Sequence, residues 1–533
     1  MVPFPQRCRC CCTEKVARPL KPVATRSPAS TTRAKSASTS NLLDHLLRGS
    51  HGSPRSPTFC LHNDRQARCP QLRSQTGTGF IVRRSFNELS PIVSLAAPIV
   101  ITQLGTMMMG MVDMWMVGRV GTSALAAVAL GDTWAFGTLI LGQGLIQGMD
   151  PLVTQAHGAK DEKALGRTLQ RGILLALLLT PLLTLSWQLA QPVLLKLGQN
   201  ANLCSVAATY VQAQLFSVPA LLGFLVLRQY LQGRGFVKPA LWTVLIANVF
   251  NIVFNEIFIF GGYGIPALGV EGAGYATGAS RWLMFLLLIA FIIRGKHLTA
   301  GWTPWSLRSF SIRAMGALVL LGLPIAIHFG VEVWTFQAAT LMAGRIGEIE
   351  LAAHIVVLKI ISFTFMFPWG ISGAATTRVG NLLGEGDVSQ ARKAAKTSIF
   401  LGAAVMAVAG IMIMVLHGNL PAIFTSDAAV LASAVALLPM AAGFQIFDGV
   451  QAVSAGVLRG AGKTVPAAAI GIVGFPLLTL PLAYYLTFER GLGLPGIWWA
   501  YLIGLVVAAV LLAGWFAITS KNWRPMERRI AGD

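Results

Sequence analysis

The chain has 533 residues, 54% of them hydrophobic and 12% charged, with a formal net charge of +21 at pH 7 and a mean hydropathy of +0.63. Soluble domains carry roughly 25% charged residues, so this composition excludes a globular protein that meets water on every side. Runs such as Ile173 to Leu185 and Leu502 to Trp515 hold no charge, and about 20 apolar residues span a hydrocarbon core of roughly 30 Å.

Residues 1–84 stand apart from the rest. They carry fifteen Lys and Arg against three acids, Glu14, Asp44 and Asp64, and so supply +12 of the net charge. The segment is rich in Ser, Thr, Pro and Arg without a hydrophobic period, which predicts a disordered basic extension. Its composition is that of an organelle transit peptide; the alternative is an over-extended start, with the functional protein beginning near Ile81. Six of the seven cysteines lie here, leaving Cys204 for the remainder. The run Cys10-Cys11-Cys12 has no second ligand pair at metal-site spacing, so no structural metal is expected.

Twelve apolar spans follow. In chain order they are expected at 89–115, 123–156, 170–195, 207–230, 239–261 and 273–294, then 314–341, 350–383, 395–416, 430–457, 465–487 and 494–517. The two sets of six are copies. Gly118-Arg119-Val120-Gly121 recurs as Gly344-Arg345-Ile346-Gly347, and Pro98, Gly144, Gly158 and Asp161 recur as Pro324, Gly370, Gly384 and Asp387, all 226 residues on. Leu231, Gly233, Gly235 and Pro239 recur 227 on, as Leu458, Gly460, Gly462 and Pro466. The expected fold is therefore all-α and integral to a membrane: two parallel six-helix bundles related by a pseudo-two-fold axis along the membrane normal. The lobes are 85–300 and 314–520, with a linker at 301–313 and a tail at 521–533.

Loop charges test the count. With the N-terminus cytoplasmic, the inside connections collect basic residues such as Lys160, Lys163, Arg234, Lys238, Arg308, Arg392, Lys463 and Arg524. The outside loops keep Arg119, Lys196, Arg345 and Arg490. That bias follows the positive-inside rule and puts both termini in the cytoplasm. The same charge is read as a topology signal, with no nucleic-acid partner expected.

Polar residues inside the spans are costly, about 2.5–3.5 kcal/mol for a charge on insertion scales, and point to function. Asp113 lies late in the first span, Glu332 in the seventh and Asp448 in the tenth. Asn251 and Asn255 are four apart, on one face of the fifth. Carboxyl groups in a low-dielectric interior are suited to taking up and releasing a proton or trading it for Na⁺. The bland reading pairs each with an interior base, and Arg281 and Lys359 are available. Arg228, Arg378 and Arg459 close spans and are expected to snorkel to headgroups; His157 and His354 are expected to pack. Trp334, Phe336 and Gln337 with Phe363 and Phe367 form a possible substrate cavity, aromatic faces suiting organic cations.

In this order, several stretches resemble the multidrug and toxic compound extrusion (MATE) family, its NorM-like branch above all. They are Val112-Asp113 with Val117-Gly118; Gln155-Ala156-His157-Gly158-Ala159; Asn248 to Asn255; Leu323-Pro324 with Glu332; Thr377-Arg378-Val379-Gly380-Asn381; and Phe447-Asp448 through Leu458-Arg459-Gly460. The resemblance implies export of amphiphilic, often cationic, small organic molecules against inward H⁺ or Na⁺, with no other cofactor. It implies that Asp113, beside Asn251 and Asn255, is the first lobe's cation site, and that Glu332 and Asp448 serve the second, so that any Na⁺ would sit at one or the other. One departure stands out. The DinF-like branch typically has Asp at the position of Asn255, so a two-Asp first-lobe site is absent here. A monomer in the plasma (inner) membrane is expected, with an organelle envelope as alternative.

A flippase for lipid-linked substrates is the competing reading, but it would usually add spans or show a strongly basic central cavity. A major-facilitator protein would carry a Gly-x-x-x-Asp-Arg-like loop after the second span, and Gly158 to Arg171 has none. No catalytic constellation or ATPase motif stands in the sequence, so an enzyme is not expected.

Overall fold

The computed structural model describes residues 88–295 and 311–526, all within one compact unit, Thr76–Asp533. The extension expected over 1–84, most of the linker at 301–313 and the end of the tail at 521–533 lie outside the described residues.

Among the described residues, twelve helices are long and apolar enough to cross a membrane: α1 Leu89–Gly118, α2 Thr122–Gly158, α3 Glu162–Gln188, α4 Ala201–Gly233, α5 Lys238–Phe260 and α6 Val270–Arg294, then α7 Ile312–Ile346, α8 Glu348–Gly384, α9 Val388–Leu416, α10 Ala428–Gly460, α11 Thr464–Glu489 and α12 Leu494–Asn522. Among the described residues no strand is formed. The expected count of twelve stands, but several boundaries move. The third helix starts at Glu162 because Asp161 caps it, its Oδ1 accepting from the Ala164 amide at 3.0 Å. Asp387 caps α9 in the same way, accepting from the Gln390 amide at 2.9 Å. Such caps let a helix run on through charged residues beyond the bilayer, where apolarity alone gives no signal. The span expected at 170–195 is two helices, since α3 stops at Gln188 and a short helix, Ala190–Lys196, follows.

Interruptions fall at proline and glycine. A 3₁₀ turn, Leu215–Ser217, precedes Pro219 in α4, where the ring removes a helical donor and crowds the preceding turn. The fifth helix of the second lobe, α11, contains two π-helical stretches, Val473–Thr479 around Pro476 and Tyr485–Glu489. Within the first, the Thr479 hydroxyl donates to the Gly474 carbonyl five residues back at 2.8 Å. Its counterpart α5 is regular throughout.

The lobes meet through glycine. A β-carbon on Gly144 of α2 would strike the Ala326 backbone of α7, and one on Gly370 of α8 would strike the backbone of Val100 in α1. The two pairs are related by the repeat offset, Gly370 lying 226 residues beyond Gly144 and Ala326 lying 226 beyond Val100. The two crossings are thus one contact repeated by the pseudo-two-fold. Gly148 lies against Gly322, and Gly137 against the Trp334 ring. Small residues let membrane helices approach closely, where dispersion replaces the missing hydrophobic drive.

Candidate functional site

Asp113 sits on the buried stripe of α1, in line with Thr102, Gly105, Met109 and Met116, and is 1% exposed. Three side chains from two other helices converge on it. The Asn255 and Asn251 amides of α5 donate to its Oδ1 at 2.6 and 3.1 Å, and the Thr277 hydroxyl of α6 donates to Oδ2. Asn255 also donates to Asn251 Oδ1 at 3.2 Å. Its own carbonyl oxygen, Oδ1, is buried and unpartnered. The spacing of Asn251 and Asn255 foretold their shared face; Thr277 carries no charge signal and went unnoticed in the sequence. Among the described residues no base comes within 4 Å of Asp113 as an ion pair. Arg281 lies in electrostatic reach of both Asp113 and Asp132, and Lys359 in reach of Asp132 on α2.

In the second lobe Glu332 and Asp448 are both buried and lie within electrostatic reach of each other across α7 and α10. Two residues the sequence reading missed complete the group. His328, one turn before Glu332, places Nε2 at 3.9 Å from its carboxylate, and Gln451, three residues after Asp448, places Nε2 at 3.3 Å from the same imidazole nitrogen. Glu332, His328 and Gln451 line a cavity walled also by Phe329, Phe365, Trp369 and Arg459. Asp448 is outside that lining. Two buried carboxylates in electrostatic reach of each other need a proton or cation to offset their repulsion. Among the described residues no group of three or more His, Cys, Asp or Glu side chains has the arrangement of a metal site.

None of the five residues expected to form a substrate cavity lines the cavity beside Glu332. Phe336 turns into the second lobe, its ring 4.6 Å from that of Tyr501. Phe363 and Phe367 stack edge to face at 6.5 Å, Trp334 is exposed against Gly137, and Gln337 is half-buried. Packing within the lobe claims Phe336 because it lies off the face of α7 that carries Trp334.

Of the arginines expected at headgroups, Arg228 and Arg459 are buried instead and Arg378 is half-buried. Arg459 of α10 reaches across to the first lobe, its Nε 3.4 Å from Asp150 Oδ2 and its Nη1 donating to Gln147. Asp150 also accepts from Gln229 at 2.8 Å. Arg228 donates to Gln103 at 2.9 Å. Arg378 of α8 grips Glu88 through two hydrogen bonds of 2.9 and 3.1 Å, Gln155 donates to the Gly460 carbonyl at 3.1 Å, and Thr377 donates to the Gln232 carbonyl at 3.3 Å. Among the described residues, every hydrogen bond and ion pair between the lobes lies at the end that carries the α2–α3 and α8–α9 turns. His354, as expected, packs within its lobe, 3.2 Å from the Thr340 hydroxyl.

Comparison with known proteins matches the MatE family model twice, at 98–257 and 324–485, once per half. The chain is 31% identical over 450 residues to the multidrug resistance protein MdtK of Edwardsiella ictaluri, covering 83% of this chain and 98% of that one. It is 35% identical over 437 residues to a probable multidrug resistance protein NorM of Mesorhizobium japonicum, covering 80% and 93%. Among solved structures it is similar to the eukaryotic MATE transporter AtDTX14, with a TM-score of 0.78, 24% identity and coverage of 84% and 99%. It is also similar to an outward-facing multidrug resistance MATE family transporter, with a TM-score of 0.72, 23% identity and coverage of 81% and 95%.

Proposed function

The chain belongs to the multidrug and toxic compound extrusion family, in its NorM-like branch, and from that premise we propose that it exports amphiphilic small organic molecules in exchange for inward H⁺ or Na⁺. It is a multi-pass membrane protein and a multidrug efflux transporter; the plasma membrane, the cytoplasmic termini and a working monomer are part of the proposal.

The observation that carries it is the one-sided fastening of two like lobes. Among the described residues, polar ties hold them together at one end only, the end whose connections are rich in Lys and Arg. By the positive-inside rule that end is cytoplasmic, which makes this the outward-facing arrangement of an alternating-access carrier. To face inward, the lobes must part at Asp150–Arg459 and Glu88–Arg378 and close at the far side. A cation delivers the difference in free energy. Asp113 is the first-lobe site, with the orphaned Asn255 oxygen as the acceptor free to meet a cation or a carboxylic proton. Glu332 and Asp448, with His328 and Gln451, are the second.

The test is uptake of a fluorescent organic amphiphile by proteoliposomes, driven separately by a pH gradient and by a Na⁺ gradient. Asp113→Asn and Glu332→Gln run beside the wild type. One gradient is expected to drive exchange, and the variant at the coupling site to reduce it at least tenfold. If neither gradient moves the probe while labelled lipid crosses the bilayer, the flippase reading replaces the exporter.

A further inference from the structure

Lys359 is an exposed lysine where a membrane helix does not ordinarily carry one. It lies eleven residues into α8 from Glu348, about 17 Å at the helical rise and so near mid-bilayer. Along the same face Ile355, Lys359 and Phe363 are all exposed, at four-residue spacing. Gly370, eleven residues further and three turns on, shares that face and packs against Val100 of α1. The stripe therefore looks across at the first lobe, and Lys359 stands above the crossing, on the side away from the polar ties. A second observation agrees: Lys359 lies within electrostatic reach of Asp132, on α2 of the opposite lobe. Among the described residues it enters no ion pair within 4 Å. The opposing wall is compliant and apolar. Counting from Val100 by helical turns, α1 presents Met107 and Met111 on its matching face, and flexible thioethers suit surfaces that accept varied shapes. Trp334 adds an exposed ring from α7.

An ammonium without a contact ion pair at this depth is tolerated where it lines a wet cleft, and it marks what that cleft receives. We propose that Lys359 anchors an acidic group on the transported compound, so that the inter-lobe cleft takes amphiphiles bearing a carboxylate, zwitterions included, in preference to purely cationic ones. Asp132 across the cleft offers the complementary place for a positive group on the same molecule. The proposal rests on the exporter reading and narrows its substrate class. It also departs from the expectation of simple organic cations, which Lys359 repels.

The experiment compares a fluorescent rhodamine carboxylic acid with its methyl ester, two compounds of one shape that differ by a single anionic charge. Each is followed in proteoliposomes bearing the full chain. Wild type is expected to show a kcat/KM for the acid at least tenfold above that for the ester. Lys359→Arg keeps that ratio, Lys359→Gln lowers it about tenfold, and Lys359→Glu inverts it. A wild type that exports the ester as well as the acid, or a ratio that Lys359→Gln and Lys359→Glu leave unchanged, overturns the proposal while leaving the exporter reading intact. A wild type that moves neither compound removes both. The wild-type ratio alone decides the matter if the variants fail to fold.

Discussion

Asp113 accepts three hydrogen bonds at 1% exposure, and those donors are what make a carboxylate admissible there. Helical arithmetic foretold the two asparagines. Thr277, His328 and Gln451 escaped because a neutral polar residue in a span has many bland uses, and only the approach of a second helix gives it one. A smaller residue-scale feature is Lys160, whose φ of 56° matches the 85° of Gly386, its counterpart before the α9 cap. Left-handed backbone costs an ordinary residue about 1–2 kcal/mol, part of which glycine returns as unfolded-state entropy. Lys160→Gly is therefore expected to stabilise the protein by up to about 1 kcal/mol, read as a higher midpoint of thermal unfolding in detergent. A lower midpoint would show that the turn does not need the left-handed form.

At the scale of elements, the ends of α2 and α10 are fastened by one buried ion pair. Removing one partner of such a pair typically costs about 3–5 kcal/mol, because the other is left charged and dry, whereas neutralising both costs far less. Asp150→Ala and Arg459→Ala are each expected to lower stability on that scale, and the double variant by much less than their sum, in a double-mutant cycle of thermal unfolding. Additive losses would mean that the two side chains do not depend on each other. From sequence, Arg459 closes an apolar span and reads as a headgroup anchor. Its burial follows from Asp150, which approaches only because Gly380, Gly384, Gly456 and Gly460 bring the helices close at this end. The π-helical stretches of α11 were likewise invisible, since Pro476 signals a break but not how the freed carbonyls are satisfied.

For the whole molecule, the paired crossings Gly144–Ala326 and Gly370–Val100 place the pivot of any rocking motion at two equivalent contacts. Leucine at Gly370 would meet the α1 backbone, so Gly370→Leu is expected to hold the lobes apart. The check is a distance distribution between spin labels at Lys163 and Gln390, in a background without other cysteines. Wild type is expected to show a dominant short population. The variant should lengthen it by several ångströms and lose at least tenfold in transport. An unchanged distribution would mean that the crossing is not what sets lobe spacing.

The sequence by itself determined the solvent, the count of twelve helices, the duplication and three carboxylates of interest. Each of these is written in composition or in spacing along one chain, and a membrane leaves few ways to satisfy the backbone other than a helix. Which polar groups meet was decided by tertiary structure alone. Asp113 gained Thr277, Glu332 gained His328 and Gln451, Phe336 packed against Tyr501, and Arg459 crossed to Asp150. Contacts between helices depend on how closely backbones approach and at what angle, and glycines on both partners set that approach together.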